Sequence, residues 1–259
     1  MTTQTRRSSG LVLESPFIWR ARRPNSRHRL ICFPHAGGGA SAFADWVHAL
    51  PAEIEVVAVQ LPGRQNRILE DPATEVGPLV RDVTKALLPL LNGSFSFFGH
   101  SCGALLGYEV AQLLHAQGGP RPDRLFLSAQ PSPAAAALRP KIHNLSEEEF
   151  RAEVMRLGGF DEEVALDEDA MDALIPTVLA DFALWEQHAM TQGPLIDSPI
   201  TAMVGESDVR APLETIEGWG DHTDAGFEMR VYPGGHFYLF DAGTDAQVFE
   251  FLAQTLLAP

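Results

Sequence analysis

The sequence predicts an α/β protein in which a mostly parallel central sheet carries helices on both faces. Short apolar segments alternate with helical segments from Arg29 to Ser128, and this rhythm returns after Ile200. The predicted strands lack a clean alternation of apolar and polar residues, which is typical of parallel strands buried on both faces. One strand also turns directly into a helix at residues 99–103 (GHSCG), and such a turn lies at the carboxyl edge of a sheet.

Runs of four to seven mainly apolar residues predict six strands, and apolar residues at helical spacing predict the helices between them. The strands are predicted at residues 29–34, 54–60, 95–98, 124–128, 200–204 and 227–232. The helices are predicted after Ser41 and at residues 76–91, 102–117, 212–218 and 246–257.

The strand–helix rhythm breaks at Pro131, and no strand is predicted for about seventy residues, which is too long for a crossover connection. Residues 131–198 are therefore predicted to be a helical insertion. Ser146 opens one of its helices with a capping box, and residues 170–192 form one or two more.

The start of the chain is predicted to differ from the rest. Residues 1–28 look irregular and basic, with seven arginines but only Glu14 as an acid among the first 30 residues. This arm is either a solvated terminus or a contact for an acidic partner. Its apolar cluster at residues 17–19 either packs against the core or forms a short edge strand. Residues 29–259 are predicted to form one domain that contains the insertion.

Composition limits the class of protein. Hydrophobic residues make up 45% of the 259 residues, which suffices for a sizeable core, and the net charge of −15 argues against nucleic acid as a partner. The two cysteines are too few for a disulfide framework, and no Cys/His cluster has the spacing of a metal site. We find no apolar run long enough to cross a membrane and no signal peptide, and we expect a cytoplasmic protein.

Ser101 is the candidate nucleophile. It stands at the centre of a G-x-S-x-G pattern, whose glycines let a strand and a helix pass without a Cβ clash. A serine hydroxyl needs a histidine to accept its proton. His236 follows the last predicted strand, and Gly234-Gly235 let that loop fold back toward Ser101. His100 is predicted to be a packing neighbour of this turn.

Asp208 is the candidate acid that orients the histidine. It lies just past the strand at 200–204, so the chain order is Ser, Asp, His, as expected on an α/β-hydrolase scaffold. Glu206 is the alternative. The strand that ends at Ser128 is followed by no acid, which leaves the other usual position empty.

Acyl transfer also needs preorganised N–H donors for the oxyanion. The amide of Cys102, the first residue of the helix, is one candidate. The second should come from the loop after residues 29–34, where Ala36 is favoured and His35 is the alternative. Gly37-Gly38-Gly39 does not fit a phosphate-binding pattern, because no Lys-Ser/Thr follows it.

Six short motifs, in this order and at these spacings, resemble the type II thioesterases, which are free-standing α/β-hydrolases that serve polyketide and nonribosomal peptide synthases. The motifs are FPHAGGG (33–39), LPGR (61–64), FGHSCG (98–103), LGG (157–159), GESD (205–208) and PGGHF (233–237). Cys102 stands where many members have methionine. The arginine-rich arm is not part of the family's pattern.

The resemblance implies an editing enzyme. It would hydrolyse aberrant or stalled acyl groups from the phosphopantetheine thioester of an acyl or peptidyl carrier protein, through an acyl-enzyme. It carries over Ser101, Asp208 and His236 as the triad and Ala36 and Cys102 as oxyanion donors. It also makes residues 131–198 a lid over an acyl chamber. Candidate wall residues of that chamber are Phe43, Phe160, Trp185 and Met190, although side chains such as Phe160, Trp185 and Met190 more often belong to a core than to a substrate wall.

No cofactor or metal is expected beyond the phosphopantetheine that the substrate carries, and the protein is expected to be a monomer that contacts neither nucleic acid nor membrane. Two other functions stay open. One is a product-releasing thioesterase, acyltransferase or general serine esterase on the same fold. The other is a binding protein that kept the fold without activity, against which the intact Ser, Asp and His argue.

Overall fold

An eight-stranded sheet runs through the centre of the computed structural model, which describes residues 10–158, 164, 166–190 and 193–258. The strand order is β1-β2-β4-β3-β5-β6-β7-β8. The pairs β1–β2 and β2–β4 are antiparallel, and the remaining pairs are parallel, as predicted. The strands are β1 Val12–Ser15, β2 Ile18–Arg20, β3 His28–Phe33, β4 Ile54–Val59, β5 Phe95–His100, β6 Leu125–Ser128, β7 Ile200–Gly205 and β8 Phe227–Tyr232.

Helices cover both faces of this sheet and fill the connection between β6 and β7. Within the described ranges they are α1 Trp46–Ala49, α2 Val76–Leu87, α3 Cys102–Ala116, α4 Pro133–Ala137, α5 Glu147–Leu157, α6 Glu168–Gln187 and α7 Thr244–Leu256. The segment predicted as a helix at 212–218 instead forms short 3-10 turns. No helix among the described residues is both long and apolar enough to cross a membrane.

Successive strand residues enter two separate cores, which explains why the strands lack alternation. Ile31 of β3 packs into the core beneath α2 and α3, whereas Leu30 and Cys32 pack into the core beneath α1 and α7. All six residues of β4 are buried. A parallel sheet that is covered on both faces needs apolar residues at nearly every strand position.

The helices between β6 and β7 have a small core of their own. Ser146 and Glu149 form the predicted capping box at the start of α5, and the Asp167 side chain caps α6. Residues from the turn at Ile142, from α5 and from α6 then pack together. The α6 helix continues through Pro176, so the predicted helical segment is a single 20-residue helix in this part.

Residues 12–20 lie within the arm that the sequence predicts to be irregular, but they contain two strands, and β2 corresponds to the short strand offered for the apolar cluster at residues 17–19. These form the hairpin β1–β2, which adds to the sheet beside β4. The sequence does not predict β1, because a strand of four residues is too short for its pattern to show.

Four of the seven arginines among the first 30 residues bind within the fold. Arg20 and Arg29 both contact the buried carboxylate of Glu55, and Arg22 pairs with Glu14. The Arg23 guanidinium donates to main-chain carbonyls, including that of Ile54. These side chains hold the hairpin to the sheet, which leaves less positive charge for an acidic partner than the sequence indicated.

Candidate active site

Ser101 lies at the sharp turn between β5 and α3. Its backbone has φ 54° and ψ −124°, a region that residues with a side chain rarely adopt. The two flanking glycines make the turn possible. A Cβ on Gly99 would lie 2.3 Å from the carbonyl oxygen of Gly103, and a Cβ on Gly103 would lie 2.2 Å from that of Phe33. This packing holds the Ser101 hydroxyl at the carboxyl edge of the sheet.

A chain of two hydrogen bonds joins the three candidate residues. The Oγ of Ser101 lies 3.1 Å from Nε2 of His236, and Nδ1 of His236 lies 2.9 Å from Oδ2 of Asp208. All three residues are buried. Ser101 follows β5, Asp208 follows β7 and His236 follows β8, so the carboxyl edge of the parallel sheet brings them together.

Asp208 is set up to remain ionised. Burial raises the pKa of its carboxyl group, but hydrogen bonds from His236 and from the Ala211 and Arg210 amides lower it, and the net pKa is below the ordinary value. Glu206, the alternative acid, is exposed to solvent. The geometry therefore favours Asp208 over Glu206 as the partner of His236.

The two candidate oxyanion donors both belong to residues near Ser101. Cys102 is the first residue of α3, so its amide has no acceptor within the helix. Ala36 lines a cavity together with Ser101 and His236. The Cys102 thiol itself is not a competing nucleophile, because burial raises its pKa to about 12 and keeps it protonated.

Two other histidines lie beside His236 and stay neutral. The pKa of His35 is lowered to about 4, mainly by burial and in smaller part by the neighbouring His236 and Arg64. Burial also lowers the pKa of His100 well below its ordinary value. The Nδ1 of His100 lies 2.9 Å from the Ser128 hydroxyl, which in turn lies 2.8 Å from the Tyr238 hydroxyl. His100 is thus a buried neighbour of the turn, in line with its predicted packing role.

These two histidines make the fold sensitive to acid. Below pH 6.5 they take up protons in the unfolded chain but not in the folded one, so the free energy of unfolding falls as the pH is lowered from about 6.5 toward 4. Each group contributes a slope of up to about 1.4 kcal/mol per pH unit. We expect His100→Asn to make this slope shallower, as measured by urea unfolding at several pH values. An unchanged slope in the variant would contradict the assignment, whatever its absolute stability.

Two cavities meet at Ser101. One, of about 150 Å³, is lined by the loop at residues 35–38, by Val178 and by His236. The other, of about 530 Å³, extends along α4 and α6 and is lined by Cys102, Arg139 and Lys141. Phe182 of α6 contributes to both walls. The helices between β6 and β7 therefore cover the Ser101 hydroxyl and shape the space around it.

The candidate wall residues of the acyl chamber lie in different parts of the fold. Trp185 and Met190 both line the larger cavity, and both also pack against the core beneath α3. Phe43 lies away from the cavities, since a 3-10 turn directs it into the other core, where its ring is 5.2 Å from that of Trp46. The prediction that Phe43 contacts substrate is therefore corrected. Phe160 lies outside the described residues, and so does Gly159 of the LGG motif.

Sequence reasoning missed one buried ion pair at the edge of the site. Arg64, in the LPGR motif, contacts both carboxylate oxygens of Asp181 in α6, at 2.5 and 2.9 Å. Asp181 also accepts a hydrogen bond from the Gly37 amide. The LPGR motif singled out Arg64 but assigned it no role. Asp181 carries no local sequence signal, because its partners are more than 100 residues away.

Among the described residues, no group of three or more His, Cys, Asp or Glu side chains is placed to hold a metal ion. The arrangement offers a serine hydroxyl, a histidine within hydrogen-bond distance of it, and a carboxylate hydrogen-bonded to the other side of that histidine. The fold and this arrangement define a serine hydrolase of the α/β-hydrolase class.

Comparison with known proteins identifies the family. A family model described as "Thioesterase domain" matches residues 28–256, so the chain belongs to the thioesterase family. The chain is 37% identical to the gramicidin S biosynthesis protein GrsT of Aneurinibacillus migulanus, over 89% of this chain and 91% of that protein.

Two solved structures are similar in fold as well as sequence. The thioesterase RedJ, from the prodiginine pathway of Streptomyces coelicolor, superposes with a TM-score of 0.85 and 37% identity, covering 91% of this chain and 92% of RedJ. BorB, a type II thioesterase of the borrelidin cluster, has a TM-score of 0.81 and 29% identity, covering 95% and 98%. The protein is thus an enzyme, a serine hydrolase that acts on thioesters.

Proposed function

We propose that this thioesterase removes aberrant or stalled acyl groups from the phosphopantetheine arm of carrier proteins in a polyketide or nonribosomal peptide synthase. The observation that carries the proposal is the hydrogen-bonded chain Ser101–His236–Asp208, which opens on two cavities. The substrate thioester joins an acyl group to a pantetheine arm. Two cavities that meet at the nucleophile can hold one of these groups each. The likeness to RedJ and BorB supports the choice of a biosynthetic partner.

In the proposed reaction, the Ser101 hydroxyl attacks the thioester carbonyl while His236 Nε2 accepts its proton. The Ala36 and Cys102 amides donate to the oxyanion, and Asp208 stabilises the imidazolium that forms. Collapse of the intermediate breaks the C–S bond, and His236 returns the proton to the departing pantetheine sulfur. Water then attacks the acyl-Ser101 ester with His236 as base, which releases the acid and restores the serine.

A carrier protein brings negative charge to the site through its phosphodiester and its acidic surface. Arg139 and Lys141 line the larger cavity, and they supply local positive charge in a protein whose net charge is −15. We propose that the enzyme recognises the carrier as well as the acyl group, and that it acts as a cytoplasmic monomer. Light scattering on the purified protein measures the oligomeric state.

A panel of substrates tests the proposal. One carrier protein is loaded with acetyl, propionyl, butyryl or longer acyl groups, and the free thiol is followed by mass shift, beside matched acyl-pantetheine thioesters and simple esters. We expect deacylation of the carrier with a kcat/KM well above that of the small thioesters. Equal or faster turnover of simple esters, with the carrier ignored, would leave a general serine esterase. Transfer of the acyl group to an added alcohol or amine in preference to water would indicate an acyltransferase.

A further inference from the structure

The loop that carries the Ala36 amide is held in place by α6. The Gly37 amide donates a 2.8 Å hydrogen bond to Oδ2 of Asp181, in the middle of that helix. Gly37 has φ +74°, and a Cβ there would lie 2.5 Å from a methyl group of Val178, one turn earlier in α6. The peptide that follows Ala36 is therefore fixed by one carboxylate and one close contact, and both come from the same helix.

Arg64 binds both Asp181 and the loop at residues 35–38. Its guanidinium pairs with both oxygens of Asp181 and also donates to the Gly38 carbonyl at 3.3 Å. Arg64 and Asp181 are 4% and 3% exposed, so solvent does not screen the pair. Thr177, in the same helix, donates to the Gly63 carbonyl beside Arg64. The LPGR turn, the loop at residues 35–38 and α6 thus meet at a single buried ion pair.

The charge of Asp181 matters for the reaction, because an oxyanion forms nearby. The Asp181 carboxylate contributes to raising the pKa of the Cys102 thiol, after the larger effect of burial, so its field reaches the start of α3. An unpaired carboxylate at this place would repel the developing oxyanion. Arg64 neutralises that charge, while Asp181 retains its hydrogen bond to the loop.

We propose that Arg64 and Asp181 are positioning residues that hold the Ala36 amide in the oxyanion site, and that α6 must be docked for this site to be complete. The proposal rests on the proposed function, since it assigns Ala36 as an oxyanion donor. It makes the oxyanion donor depend on the position of α6, the helix that covers the site. Movement of α6 away from the loop would break the Asp181–Gly37 hydrogen bond and disable the donor.

Three variants separate positioning from a purely structural role. In Asp181→Asn, the side-chain carbonyl still accepts from the Gly37 amide, so we expect a small loss of kcat. In Arg64→Met, a carboxylate stays buried and unpaired beside the oxyanion, so we expect the largest loss, approaching the 100- to 1000-fold that removal of one oxyanion donor costs. The double variant Arg64→Met/Asp181→Leu replaces the ion pair with apolar side chains, which often preserves stability, but it removes the anchor of Gly37.

The control is Arg151→Met. It removes a different 2.6 Å ion pair of α6, the one between Asp172 and Arg151 of α5, which lies at the surface. All variants are assayed with an acyl-pantetheine thioester for kcat and KM, with thermal unfolding for stability, and with a boronic acid whose tetrahedral adduct on Ser101 uses the oxyanion site.

The expected result is a double variant that unfolds near the wild-type temperature, with kcat and boronate affinity both lowered at least about 10-fold and KM little changed. Arg151→Met is expected to match the wild type. If kcat and boronate affinity return to wild-type values along with stability in the double variant, the pair is structural only and the proposal is wrong, although the proposed function stands. If the wild-type protein hydrolyses no thioester, the proposed function fails first and this inference fails with it.

Discussion

Replacing Ser101 with alanine is expected to lower kcat for thioester hydrolysis by about four orders of magnitude or more, because no other nucleophile stands in its place. The neighbouring thiol of Cys102 has its pKa raised to about 12 and stays protonated. The variant loses one oxygen atom from a buried turn and keeps both flanking glycines, so it should fold. The measurement is kcat on an acyl-pantetheine thioester, with circular dichroism and thermal unfolding as the check on folding.

A residual rate is expected in this variant. The oxyanion donors and the binding cavities remain, and such features alone typically retain a 10³- to 10⁴-fold advantage over water. Turnover within about 10-fold of the wild type, in a preparation free of other hydrolases, would show that Ser101 is not the nucleophile. It would also favour a function in which the bound thioester reacts directly with water.

Asp208→Asn is expected to lower kcat by about 10⁴-fold with little change in the fold. The asparagine carbonyl can still accept from the Arg210 and Ala211 amides, which hold Oδ1 of the aspartate. Its NH₂ group would then face Nδ1 of His236, so the imidazole would carry its proton on Nε2. In that tautomer, Nε2 cannot accept the proton of Ser101, which lies 3.1 Å away.

Glu206→Gln is the matched control for this substitution. It removes the other carboxylate of the GESD motif, two residues away and exposed to solvent. Its kcat is expected to stay within about 2-fold of the wild type, because an exposed charge at the surface is screened. The reverse ranking, with Glu206→Gln inactive and Asp208→Asn active, would mean that the acid has been assigned to the wrong residue.

The sequence predicted the sheet and the three central residues because both leave local signals. A parallel strand that is buried on both faces is a continuous apolar run, as in residues 54–59, and such runs are visible without knowledge of their neighbours. The G-x-S-x-G turn needs glycines at fixed positions, since the contacts of Gly99 and Gly103 leave no room for a side chain. Glycines likewise precede His236, and chain order pointed to Asp208.

What the sequence did not predict depends on contacts between distant segments. The Arg64–Asp181 pair joins residues 117 positions apart, and a helical aspartate looks like any solvated charge until the fold is known. Phe43 has the spacing of a helix that could face substrate, but a 3-10 turn rotates it into the core. The strand β1 is short, and its pairing with β2 at the edge of the sheet has no local signal. In each case tertiary packing decides the outcome.

The central claim is that Ser101 takes the acyl group from a carrier-bound thioester before water releases it. The most direct measurement is rapid mixing of the enzyme with excess acyl-carrier, followed by an acid quench and intact mass spectrometry. The account predicts an enzyme species heavier by the acyl mass, which maps to the peptide that contains Ser101 and decays to free acid as the carrier thiol appears. Release of the carrier thiol at the wild-type rate by Ser101→Ala, or an adduct that maps to another residue, would contradict it.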